Sequence, residues 1–261
     1  MGDLGGWRLV DTQHRISAFA NQGLVTVRRP DGSRQVLRRG YFSNPYLWQR
    51  RPRWVHIGDP GAWDAYVVDC YQGRAGRGEK MFRLRLPAGG HQEHVHPVAV
   101  GETINNSFVA LSADGHWMVS GEWEQLTRLL VFPTPALNPR AGFPDQPLPL
   151  AGIIELDRPV RRPQGITFLD PVTMLCSTDD PTPHLWGVPR QLLRVTLARP
   201  LAGEPTVPAT VTFEGALPTA HHLAGGIEVE GLDYDPVTTD LRVSIVRAGR
   251  IITTTYRYRL A

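Results

Sequence analysis

The densest run of side chains able to do chemistry is His91-Gln92-Glu93-His94-Val95-His96-Pro97. In an extended chain alternate residues share a side, so His94 and His96 point one way and Glu93 and Val95 the other. Two imidazoles on one face can ligate a divalent ion, with a third ligand from elsewhere in the chain. His94, His96 and Glu230 are therefore the candidate metal ligands, with Asn106 or Glu122 as further donors; hydrogen-bonded or solvent-facing histidines account for the same spacing. Carboxylates supply a second set: Glu122 and Asp179-Asp180 follow strand-like segments, and Glu214, Glu228 and Glu230 flank His221 and His222 in a glycine-interrupted stretch. When burial raises the pKa of only one of two neighbouring carboxyls, the pair divides into acid and base. On this ground His94, Glu122, Asp179, His221 and Glu230 are the candidate catalytic residues.

Three indoles stand beside such groups. Trp63 and Trp123 adjoin acidic residues, and Trp186 follows His184 in a proline-rich insertion. An exposed indole can stack on a sugar or an aromatic ligand, whereas a buried one fills a sheet interface. No phosphate-cradling glycine loop, HExxH pair or Gly-x-Ser-x-Gly elbow occurs, which argues against nucleotide-dependent and serine-hydrolase chemistry. His94, His96 and Glu102 resemble the first metal motif of the cupin family, but the step to Glu102 is longer than that pattern and the second motif is absent.

These residues need elements to hold them, and the chain repeats one. Gln164-Gly165 leads an alternating strand, Asp170-Pro171 opens a turn, and a second strand runs to Ser177; Glu230-Gly231, Asp235-Pro236 and the strand to Ile245 repeat it. A third copy runs from Asn106 through the turn Ser112-Ala113-Asp114-Gly115 to Ser120. A further strand follows each, at Leu129–Phe132, Gln191–Leu197 and Ile251–Leu260. Looser units use Ala65–Cys70 with Met81–Leu86, and Leu24–Arg29 with Arg34–Arg38. With 23 prolines and 26 glycines among 261 residues, few windows could hold an uninterrupted helix. The reading is all-β: a small β-propeller, preferably five-bladed, forming one domain over residues 1–261, with the opening residues helping to close the ring. In such a ring Asn106, Gln164 and Glu230, each leading the first strand of its repeat, come around a common axis, either to bind a ligand or shared ion or to hydrogen-bond the backbone of the neighbouring blade.

On the segments Asn105–Pro133, Gln164–Asp180 and Glu230–Leu260 the chain resembles bacterial proteins of the small β-propeller class. That resemblance implies a fold and no particular chemistry.

Cys70 and Cys176 are the only cysteines and lie outside any CxxC spacing, which excludes a disulfide framework. Residues 1–86 carry 15 basic against 7 acidic side chains, and Lys80 is the sole lysine. The arginines from Arg38 to Arg53 interleave with Tyr41, Phe42, Tyr46, Trp48 and Trp54, as on a single-strand nucleic-acid surface, but no binding motif accompanies them and nucleic acid is disfavoured. No apolar run could span a membrane, and the start Met1–Arg8 has no leader character, so the chain as written reads as cytoplasmic, or as secreted if a leader has been removed. The functional expectation is an enzyme with an axial or rim pocket, of hydrolase or lyase type, acting on a small polar, carbohydrate-like or natural-product substrate, with a divalent metal ion as candidate cofactor. The alternative is a non-catalytic propeller that binds a ligand or a protein.

Overall fold

The computed structural model describes residues 3–16, 21–180, 185–218, 227–247 and 252–261. Strand β1 (Trp7–Ile16) opens it and is used last. A two-stranded hairpin follows, β2 (Asn21–Arg28) with β3 (Arg34–Gly40). The second group holds β4 (Trp54–Ile57), β5 (Gly61–Trp63), β6 (Tyr66–Gly73), β7 (Glu79–Arg85) and β8 (His91–Pro97), the first two both pairing with β6. The third runs β9 (Val109–Leu111), β10 (Trp117–Ser120), β11 (Gln125–Pro133), β12 (Gly152–Arg161). The fourth runs β13 (Pro163–Phe168), β14 (Thr173–Asp179), β15 (Arg190–Leu197), β16 (Thr206–Ala216). In the last, β17 (Glu228–Asp235), β18 (Asp240–Arg247) and β19 (Ile252–Leu260) are completed by β1, which pairs antiparallel to β19 from Trp7 opposite Leu260 to Ile16 opposite Ile252.

Every pairing within a group is antiparallel, while the outer strands β12 and β16 of neighbouring groups run parallel and join two groups into one eight-stranded sheet. The first strands close on themselves: β2 packs on β5, β5 on β9, β9 on β13, β13 on β17, and β17 on β2. A ring of radially arranged antiparallel sheets is a propeller, and this chain forms a small one. Radial packing also places the apolar core between groups. Phe108, Val119, Ile166 and Val195 fill the seam between the third and fourth, and Leu175, Leu192, Leu232 and Val243 the next. Phe82 and Phe132 meet between the second and third at 4.9 Å, and Val25, Val27 and Val67 join the first to the second. Cys70 and Cys176 are buried free thiols, and burial pushes the Cys176 thiol up to about 12.

The repeated turn has a local cause. Asp170 Oδ1 accepts from the backbone N–H of Val172 and Thr173, both at 2.8 Å; Asp235 Oδ1 accepts from Val237, and Asp114 Oδ1 from His116, both at 3.0 Å. An aspartate that bonds to the backbone two residues on mimics a turn, so each hairpin is set by its own sequence. Several strands of the later groups are not marked in the sequence. The fourth strands β8, β12 and β16, and the short inner strands β4 and β5, carry no repeat signature. They are specified by the sheet edges they cover.

Candidate functional site

Two cavities occupy the two mouths of the ring. The one where the first strands end, about 350 Å³, is framed by Val25, Leu111, Ile166, Phe168 and Leu232, with Trp63 and Tyr234 at its side. Its buried carboxylate, Asp233, is occupied by Thr26, whose hydroxyl donates at 2.5 Å and whose backbone N–H donates at 3.0 Å, and by Arg242 at 3.3 Å. The opposite mouth, where the first strands begin, holds a polar cavity of about 300 Å³. Every group contributes to it: Gln22 from the first, His56 and Gln72 from the second, Asn105, Ser107 and Trp123 from the third, Gln164 from the fourth, Glu228 and Glu230 from the last. Glu228 and Glu230 are two apart on one strand, so their side chains leave on the same side. Gln22 Nε2 donates to Glu230 Oε1 at 3.4 Å, and the Arg162 guanidinium lies 4.7 Å from the Trp123 ring centre.

Below this cavity lies Asp59, wholly buried. Its Oδ1 accepts the backbone N–H of Leu24 at 3.1 Å and its Oδ2 that of Leu232 at 3.0 Å. Its own backbone pairs with Phe108, and a Cβ on Gly165 would stand 2.5 Å from Oδ2. Asp59 thus reaches the first, fourth and last groups with its carboxyl and the third with its backbone. The repeated glycines of the sequence have this as their cause. Gly23, Gly165 and Gly231 are bare where the Asp59 carboxyl comes closest, and each directly follows a side chain that lines the cavity, Gln22, Gln164 and Glu230 respectively. Burial pushes the Asp59 carboxyl well above the usual carboxylate range, against the opposing pull of the two backbone donors.

The expected convergence on the axis is met by Gln164 and Glu230. Asn106 instead turns into the wall, where its Oδ1 accepts from Ser120 Oγ at 2.5 Å and its Nδ2 donates to the Tyr71 carbonyl at 3.4 Å. Its neighbours Asn105 and Ser107 face the cavity. Phe108, not Asn106-Ser107, is the position that matches Gly165, and a one-residue slip in register reverses the side. Gln22, His56 and Gln72 were not singled out by the sequence reading. Gln22-Gly23 repeats the polar-glycine pair of Gln164-Gly165 and Glu230-Gly231, a signal that was present.

The other expected residues lie elsewhere. His94 and His96 share a face of β8 as anticipated, but that strand is the outermost of its sheet. Glu230 is on the axis, so the three do not form one ligand set, and no cluster of three ligating side chains occurs among the described residues. His94 is buried, which lowers its pKa, and its Nδ1 has no hydrogen-bond partner among the described residues. His96 Nδ1 donates to the Leu148 carbonyl at 2.8 Å and its Nε2 lies 2.9 Å from Glu102 Oε2, while Lys80 Nζ approaches Glu102 Oε1 at 2.5 Å. Of the cupin-like set, Glu102 is thus taken up by an ion pair with the Lys80 ammonium and by His96. Burial would raise the Glu102 carboxyl, yet hydrogen bonds from His96 and Lys80 and the Lys80 charge hold it at about 2. Glu122 accepts from the Thr103 backbone N–H and lies 3.9 Å from Arg128, anchoring the connection into β9. Asp179, at the end of β14, pairs with Arg190 at 2.9 Å, and Arg190 also donates to the Ile227 carbonyl next to Glu228. Burial raises the Asp179 carboxyl to about 6, opposed by Arg190 and reinforced by Glu228. His221 lies outside the described residues, as do His222 and His184. Trp63 donates to the Ala113 carbonyl and Trp186 stacks on Phe213 at 5.9 Å, so both pack within the fold; only Trp123 lines the polar cavity.

No protein-family model matches the chain, and no curated protein sequence matches it. Among solved structures it is similar to a GH43_1 enzyme from Xanthomonas citri, at 10% identity over 97% of this chain and 86% of that one, with a TM-score of 0.43. It is also similar to the native arabinanase Arb43A of Bacillus subtilis, at 11% identity over 98% of this chain and 94% of that one, with a TM-score of 0.41. Both likenesses describe the path of the chain and carry no residue role across to it.

Proposed function

We propose that this protein is a five-bladed propeller enzyme that hydrolyses a small carbohydrate-like substrate bound in the polar axial cavity. The observation that carries the reading is the convergence of amide, hydroxyl, imidazole and carboxylate side chains from every sheet group on one cavity of about 300 Å³ with an indole in its wall. Amides both donate and accept, which suits the paired donor and acceptor character of sugar hydroxyls, and an indole covers the apolar face of a sugar ring. Glu228 and Glu230 are the catalytic carboxylates in this reading. One takes the proton of the attacking water, and the other gives a proton to the leaving oxygen as the bond to the anomeric carbon breaks. Asp179, behind Glu228, is a positioning residue, since it shares Arg190 with the backbone that carries Glu228.

The test is turnover of a panel of chromogenic aryl glycosides and dye-linked oligosaccharides by the wild type, E228Q and E230Q, with folding checked by circular dichroism. Loss of a general acid or base should lower kcat by about 10²- to 10⁴-fold. Wild-type rates in both variants would reject the assignment. The predominance of amides over carboxylates in the cavity favours one second reading, a sugar-binding propeller without catalysis. It predicts no turnover across the panel but saturable binding that Trp123→Ala abolishes.

A further inference from the structure

The seam between the last sheet and the first hairpin differs from the others. The first group has only two strands, and side chains of β3 face those of β18, β19 and β1 across a gap. The result is a cleft of about 510 Å³. It is lined by the guanidinium groups of Arg15 on β1, Arg38 on β3, Arg242 on β18 and Arg257 on β19, with Asp11 the single carboxylate in its wall among the described residues. Cross-strand register explains the convergence: Asp11 stands opposite Arg257, and Arg257 opposite Arg242.

The arginines are unevenly paired. Arg242 is held by Asp233 and Asp240, both at 3.3 Å, and Arg257 by Asp240 at 3.3 Å and Asp11 at 3.8 Å. Arg38 has no acidic partner among the described residues. Its Nη1 donates to Thr255 Oγ1 at 3.0 Å, and it faces the like charges of Arg15 and Arg242. Arg257 Nε is buried with no hydrogen-bond partner among the described residues. Burial and those two neighbouring arginines lower the Arg38 pKa. A half-buried guanidinium surrounded by cations, with a donor left over next to it, is stabilised by an anion that bridges them.

We infer that this cleft binds a small ligand bearing phosphate or sulfate groups, held by Arg38 and Arg257 and flanked by Arg15 and Arg242. Guanidinium forks match the tetrahedral oxyanion with two parallel hydrogen bonds, and a cleft of about 510 Å³ has room for a compact ligand. The site is independent of the axial cavity, so it stands whether or not that cavity is catalytic.

Titration calorimetry with inorganic triphosphate and with a sulfated disaccharide, at low and at about 0.3 M salt, tests it. We expect binding of at least one probe to the full chain, weakened about tenfold or more by R38Q and by R257Q, weakened by salt, and unchanged by R77Q, which lies in an exposed turn of the second group. The stronger probe identifies the source of the oxyanion. A rise in wild-type melting temperature with the same probe, absent in R38Q, is the second expected reading, and R38Q without ligand should melt no lower than wild type. Absence of binding of both probes at millimolar concentration and low salt overturns the inference. So does equal weakening by R77Q, or a single-stranded DNA oligonucleotide binding about tenfold more tightly than either probe.

Discussion

Replacing Asp59 should loosen the whole ring. Its two oxygens satisfy the buried N–H groups of Leu24 and Leu232, and the residue has no exposed surface. A buried donor left without an acceptor costs about 1–3 kcal/mol, so D59A, which strands both, should lose about 2–6 kcal/mol. D59N keeps the volume but turns an NH2 group towards one of the donors, so it should lose about 1–3 kcal/mol. For a chain of this length each 1 kcal/mol moves the melting midpoint by about 2–4 °C, so the ranking wild type, D59N, D59A is resolvable by calorimetry or urea denaturation. The carboxyl also gives a pH signature. Its native pKa stands above the unfolded value of 3.8, so the native state holds the proton more tightly; that stabilisation is complete below about pH 4 and fades as pH rises through the native value. D59N has no such proton, and its deficit relative to wild type should narrow with rising pH. A D59A protein melting with the wild type would refute the idea that this carboxyl holds the ring, and with it the account of the glycines around it.

The Lys80–Glu102–His96 cluster makes a second prediction: E102Q strands a buried ammonium and should destabilise by about 3–5 kcal/mol in urea denaturation, with the double variant K80M/E102Q recovering much of the loss. Wild-type stability in E102Q would show that the pair contributes nothing. Asp179, at about 6 in the native state against 3.8 unfolded, holds its proton more tightly when folded. Its contribution, of order 2–3 kcal/mol, is present below about pH 4 and lost by about pH 6. Wild type should therefore lose stability relative to D179N between those limits, read from urea midpoints, and parallel pH curves would contradict the raised value.

Much of the architecture was legible because it is written locally. Asp114, Asp170 and Asp235 close their own turns by bonding to backbone two or three residues on, and alternation of apolar residues marks the strands they join. Gln164 and Glu230 were found as axial residues because equivalent positions in a ring of repeats must meet. The third repeat shows the limit. Asn106 is polar and leads its strand, but whether a side chain enters the cavity or the wall depends on register against a neighbouring sheet, and a slip of one residue exchanged it for Asn105 and Ser107.

What the linear chain could not disclose is anything that depends on distance between groups far apart in it. His94 and His96 carried the strongest chemical signature and lie away from the axis, with His96 bonded to a Glu102 carboxylate that Lys80 already pairs. Asp59 carried no signature and sits where all the sheets meet. The conformational preferences of a segment are properties of its own residues, so turns, strands and the all-β class belong to the sequence. A carboxyl group becomes a pin, an acid or a mere surface charge only through burial and the donors brought to it, and those are set by the closure of the ring.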